Sequence, residues 1–245
     1  MGGGFYNNIV KMLTVSNLHK YFGKVKAVDG IDFEVNKGEI VGFLGPNGAG
    51  KTTTMRLITS FLTPTKGKVT INGKSPRKSR SIIGYLPEEN PLYSKMTPLE
   101  YLHFIGKMHK MSLNNLNKQS GAVTAKCGLT EVINRPIETL SRGYRQRVGL
   151  AATLIHDTQI IVMDEPTSGL DPNQQDEIKN LIKLVAKDKA VLFSTHILSE
   201  AESICQRALI IHQGKIVAKA NVRKMKKGQL EKLFKQKTKD EKPKK

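Results

Sequence analysis

The sequence is poor in cysteine, in long apolar runs and in acidic residues. Its two cysteines, Cys127 and Cys205, lie far apart and form no C-x-x-C pair. That excludes a disulfide scaffold or a four-cysteine zinc site and suits a reducing compartment. No apolar run approaches the roughly 18–20 residues that span a bilayer. The best stretches, Ile40 to Gly45 and Ile160 to Met163, have the length of buried strands, so the chain is not expected to cross a membrane alone. Against 40 Lys and Arg there are only 21 Asp and Glu, giving a net charge of +19. Eleven basic and three acidic residues fall between Arg223 and Lys245. Such an excess suits contact with phosphates, whether of nucleotide, nucleic acid or anionic lipid. A merely solubilising lysine-rich tail fits the same numbers.

What is present suits one α/β domain with a subdomain: 245 residues, 38% hydrophobic, enough to bury a core. Residues 1–11 are glycine-led, carry no secretory signal and are set aside from the fold, with Met12 as an alternative start. Short β-type segments follow, Leu13 to His19 and Ile31 to Asn36, with Gly23 and Gly30 between them. Glu39 to Leu44 reads as a strand buried on both faces, and Lys51 to Leu62 has helical spacing. Thr97-Pro98-Leu99-Glu100 is a helix start, with a capping threonine, proline at the first position and glutamate at the third. Residues from about 89 to 152 therefore read as a mainly helical insertion. Beyond them strands (Gln159–Met163, Ala190–Thr195, Arg207–His212) alternate with helices (Asn173–Ala186, Leu198–Cys205). That alternation predicts a parallel sheet with helices on both faces.

Two segments carry chemistry. Gly45-Pro46-Asn47-Gly48-Ala49-Gly50-Lys51-Thr52 fits G-x-x-x-x-G-K-[ST] between a strand and a helix. Its glycines let backbone N–H groups cradle an anion, and the helix dipole points to the same place. Lys51 is expected to reach the β/γ-phosphates of a nucleotide, Thr52 to bind Mg²⁺ and Thr53 to lie beside the phosphates. The apolar strand Ile160–Met163 ends in Asp164 and Glu165. A strand buried on both faces places such carboxylates where ligands of open α/β sheets bind. Asp164 is the expected Mg²⁺ partner, and Glu165 the group that orients and deprotonates an attacking water.

Further motifs resemble those of the ABC-family ATPases. Leu140-Ser141-Arg142-Gly143-Tyr144 looks like that family's signature loop, whose common form is L-S-G-G-Q. Ser168-Gly169-Leu170-Asp171 resembles its D-loop, and Ser194-Thr195-His196 its switch histidine. Phe22 falls where the family stacks an aromatic on adenine. The motifs stand in family order across Met12 to Ala220. The resemblance implies an α/β P-loop NTPase core with a mainly parallel sheet, an N-terminal antiparallel β subdomain and a helical insertion. It divides the chain into an extension (1–11), an ATPase domain (12–222) and a basic tail (223–245).

It also implies an ATPase that powers a membrane transporter from the cytoplasmic face of the inner membrane, beside a separate membrane-spanning permease. Lys51, Glu165 and His196 would be catalytic. Ser141 and Gly143 would present a hydroxyl and N–H groups to a nucleotide held by a second ATPase subunit, so two chains would meet head to tail around two ATP.

Two departures stand out. Glu88 occupies the place of a metal-binding glutamine, and Arg142 and Tyr144 replace a glycine and a glutamine. The Pro-Glu loop and the signature are similar to those of gliding-motility and multidrug export systems. A soluble nucleic-acid- or ribosome-associated ATPase is the alternative raised by charge. Such proteins generally carry two nucleotide domains, long coiled coils or metal-binding cysteines, and none is present. In the tail, Leu230, Leu233 and Phe234 among lysines suggest either a solvated segment or a short amphipathic helix on an anionic inner leaflet.

Overall fold

The computed structural model describes residues 10–239; residues 1–9 of the glycine-led extension and 240–245 of the tail lie outside them. A three-stranded antiparallel sheet, in the order β2-β1-β4, is built from β1 (Lys11–Phe22), β2 (Val25–Asn36) and β4 (Lys66–Ile71). The two short segments read near the start are thus parts of one long hairpin, which turns at Gly23 (φ 57°). The second sheet has six strands. It comprises β5 (Ile83–Leu86), β6 (Ile160–Asp164), β7 (Ala190–Thr195), β3 (Ile40–Leu44), β8 (Arg207–His212) and β9 (Lys215–Asn221), in that order. All its neighbouring pairs are parallel except β8 with β9.

Every residue of β3, β6 and β7 is buried, as expected of central strands covered on both faces. Alternation along them divides the interior. Val41, Phe43, Ile160 and Val162 face a core shared with the antiparallel sheet and α1 (Lys51–Ile58). Ile40, Leu44, Ile161 and Met163 face a second core. That core is closed by α4 (Arg142–Leu154), α5 (Pro172–Val185) and α6 (Leu198–Ile204). Register then fixes the site, because Leu44 lies opposite Thr195 and Asp164 opposite Ser194. The carboxyl ends of β3, β6 and β7 therefore stand side by side.

Between β5 and β6 come α2 (Pro98–Met108), α3 (Leu113–Lys126) and α4. At the start of α2 the Thr97 hydroxyl accepts the Glu100 N–H at 3.2 Å, and the Glu100 carboxylate accepts the Thr97 N–H at 2.8 Å. This is the reciprocal cap that the sequence predicted.

Two expectations need correction. Helix α1 stops at Ile58 and not at Leu62, because Ser60 takes a left-handed conformation (φ 64°) that closes the helix. The tail is not merely solvated. It forms α7 (Gln229–Lys237), with Leu230 fully buried and Leu233 and Phe234 packed on the second core. The apolar face that would have rested on lipid is spent on the domain itself.

Candidate nucleotide site

The loop from Gly45 to Gly50 joins β3 to α1, and its shape depends on missing side chains. Gly50 has φ 106°, and a Cβ there would lie 2.3 Å from the Ala27 carbonyl. The loop is fastened at Ala49, whose N–H donates to Pro46 O at 3.2 Å and whose carbonyl accepts the Gly214 N–H at 3.0 Å. The carbonyl of Gly214 in turn accepts the Asp29 N–H at 2.8 Å, which ties the loop to the antiparallel sheet. Helix α1 has no acidic residue in its first turn, so its free N–H groups and dipole remain attractive to an anion.

Lys51 is buried, and its ammonium has three partners. It donates to Gly45 O at 2.9 Å and to Pro46 O at 3.2 Å, and it pairs with Glu165 Oε1 at 3.3 Å. The other oxygen of Glu165, Oε2, accepts from His196 Nδ1 at 2.5 Å. A carboxylate only accepts, so Nδ1 carries the proton in this contact. The backbone of Glu165 is left-handed (φ 48°), a strained state for a side-chain-bearing residue. Its N–H donates to Ser194 Oγ at 3.1 Å and to Ser194 O at 3.2 Å. The Ser194 hydroxyl donates onward to Asp164 Oδ1, so one serine positions both carboxylate residues.

Asp164 Oδ2 is buried without a hydrogen-bond partner. A buried carboxylate oxygen left open in this way fits a cation ligand. Among the described residues no cluster of three or more His, Cys, Asp or Glu is assembled to cage a metal. Glu88 is exposed at the rim. Next to it in the chain's fold, burial first and then the charge of Asp164 push the Tyr85 phenol up to about 12.

These groups surround a cleft of about 900 Å³ lined by Asn47, Gly48, Gly50 to Thr53, Glu88, Glu165, Ser168 and His196. Lys24 to Ala27, Gln213 and Gly214 complete its wall. The sequence did not mark those six, since they reach the cleft only through the folding of two hairpins. Phe22 is 48% exposed at the hairpin tip beside this wall, with the Lys20 ammonium 5.0 Å from its ring centroid, and is not among the lining residues.

Ser141, Gly143 and Asp171 lie outside the cleft. Ser141 caps α4 by accepting the Tyr144 N–H at 3.3 Å, and Asp171 caps α5 by accepting the Gln174 N–H at 3.0 Å. The two turns touch. A Cβ on Gly143 would meet the Gln174 side chain at 2.9 Å, and one on Gly169 would meet the Arg142 guanidinium at 2.3 Å. Asn90, another residue the sequence did not mark, donates its amide to Arg145 O at 2.9 Å and fastens the loop after Glu88 to α4.

A phosphate-cradling loop after β3 and a carboxylate-ended β6, on the two strands that flank β7, define a nucleotide-binding α/β ATPase. The profile of the family described as ABC transporter matches residues 28–168. A linearmycin resistance ATP-binding protein of Bacillus subtilis is 38% identical over 212 residues, 84% of this chain and 68% of that protein. The Nod factor export ATP-binding protein I of Ralstonia nicotianae is 34% identical over 212 residues, 84% of this chain and 66% of that protein. Among solved structures, an ATP-binding subunit of an ABC transporter superposes with a TM-score of 0.79 and 26% identity. It covers 91% of this chain and 99% of that one. The chain belongs to the ABC transporter family, as one of its ATP-hydrolysing, ATP-binding domains.

Proposed function

We propose that the chain is the ATPase subunit of an export transporter, closing head to tail with a second ATPase subunit around two ATP molecules. One observation carries the dimer reading. Lys51, Thr52, Glu165 and His196 line a single cleft, whereas Ser141, Gly143 and Asp171 stand outside it on capped helix starts, with Ser141 and Asp171 exposed and Gly143 buried. A chain with two half-sites that do not face each other needs a second chain to complete either one. Export is supported by the resistance and export functions in the names of the two relatives. A separate membrane-spanning permease is supported by family membership, and no helix among the described residues is long and apolar enough to cross a membrane. The permease would hold the chain at the cytoplasmic face of the inner membrane.

In this reading the cradle Gly45–Thr53 binds the phosphates, and Phe22 at the hairpin tip packs on adenine. Thr52, Asp164 and Glu88 would hold Mg²⁺, which when bound neutralises phosphate charge. The three donors of Lys51 are all engaged, so an incoming phosphate must take one partner's place. Taking that of Glu165 frees the carboxylate, still held by His196, to orient and deprotonate water. Ser141 and Gly143 would offer a hydroxyl and N–H groups to the γ-phosphate on the partner chain.

Glu165→Gln keeps the shape and removes the base. It should lower turnover by about 10²-fold or more and accumulate an ATP-bound dimer in light scattering. Normal hydrolysis by this variant would overturn the assignment.

A further inference from the structure

Glu200 sits on α6, four residues after His196, and is only 2% exposed. A carboxylate so placed is costly unless donors surround it. Each of its oxygens has one: Thr167 Oγ1 donates to Oε1 at 2.5 Å and Thr195 Oγ1 donates to Oε2 at 2.6 Å. Both threonines are buried. The Thr195 oxygen also accepts the Ile197 N–H at 3.0 Å. Thr167 follows Glu165 by two residues, and its carbonyl accepts the Leu170 N–H at 3.2 Å in the turn that leads to Asp171. Thr195 immediately precedes His196. One carboxylate on a third element thus grips the loop after β6 and the last residue of β7, where the His196 loop begins, and no ion pair to it occurs among the described residues.

We propose that Glu200 is a positioning residue for hydrolysis, a buried clip that keeps the Glu165 loop and the His196 loop in one fixed relation. The proposal rests on the roles given above to Glu165 and His196. Their direct contact does not hold the loops alone, because the His196 side chain is 50% exposed. Without the clip two buried hydroxyls lose their acceptor and both loops relax. A displacement of about 1 Å at such a site costs on the order of 10²-fold in rate. Glu200 does not line the cleft, so nucleotide affinity should be spared.

The test uses the full chain with MgATP, measuring kcat, KM, equilibrium ATP binding and amide hydrogen exchange in the nucleotide-free protein. Glu200→Ala should lower kcat by about 10–100-fold, leave ATP affinity within about twofold, and speed exchange in both loops together. Glu200→Gln, which still bridges through one oxygen and one N–H, should recover most of the rate. In a His196→Ala background, Glu200→Ala should add little further loss, since the clip acts through the residues it positions. If Glu200→Ala does not fold, Thr167→Val removes one arm only and should lower kcat at unchanged affinity. An unchanged kcat, a parallel loss of ATP affinity, or losses that multiply in the His196→Ala background would overturn the proposal. Loop exchange reports the clip without turnover. Normal hydrolysis by Glu165→Gln would therefore sink the site assignment and leave the exchange result standing as a separate fact.

Discussion

The Lys51 ammonium and the Glu165 carboxylate meet at 3.3 Å with 6% and 8% of their side chains exposed. Such a pair persists because stripping either charge of its partner in a buried place costs about 3–5 kcal/mol. Exchanging one anionic partner for another avoids that cost. A phosphate that takes the lysine from Glu165 satisfies the cation, while Glu165 keeps His196 and gains water. In the proposed mechanism, nucleotide binding and release of the base then become one event.

Lys51→Ala should accordingly weaken ATP binding by about 10–100-fold or more and abolish productive turnover. It should also lower the thermal midpoint, since Glu165 stays buried with only the His196 N–H as a partner. Equilibrium binding and thermal unfolding check both parts. Unchanged turnover would contradict the site.

A second prediction concerns pH. His109 and His156 stack with centroids 3.8 Å apart and planes 9° apart. Burial, and next the nearby His109, push His156 down from 6.5 to about 4; Lys189 acts in the same direction, and Asp157 and the Ile83 carbonyl oppose it. Burial lowers His109 as well. Between pH 6.5 and about 4 the unfolded chain therefore takes up a proton that the folded chain refuses. Stability from this pair is complete above pH 6.5 and is lost as pH falls through that window. The loss should be about 3 kcal/mol, or roughly 6–12 °C in Tm. His156→Phe, which keeps a stacked ring, should flatten the slope between pH 6.5 and 4. An unaltered slope would contradict the assignment.

The tail supplies a third prediction. Leu230 is fully buried against the second core, so Leu230→Ala should cost about 2–5 kcal/mol in urea unfolding. Deleting residues after Met225 should cost at least as much, with vesicle binding unchanged. A truncated chain of full stability would restore the solvated tail.

The parts legible in the sequence are those whose chemistry runs along consecutive residues. Gly45 to Thr53 announces an anion cradle, Ile160 to Glu165 a strand ending in carboxylates, and Thr97 to Glu100 a reciprocal cap. The rest depends on distant neighbours. Ser194 reaches Asp164 and Glu165 from 30 and 29 residues away, and Glu200 meets Thr167 across 33. No local spacing encodes such meetings. Strands β4 and β9 carry little signal in the sequence because few of their side chains are buried: Val69 and Ile71 in one, Ala220 in the other. Apolar patterning fades on such partly covered strands. Leu230, Leu233 and Phe234 were visible as an apolar face, but only the fold shows what covers it.

The head-to-tail sandwich is tested most directly by the rate of ATP hydrolysis per chain as a function of protein concentration. The account predicts a rate per chain that climbs with concentration as chains pair and then levels off. A rate per chain that stays constant down to concentrations where light scattering finds only single chains would contradict it.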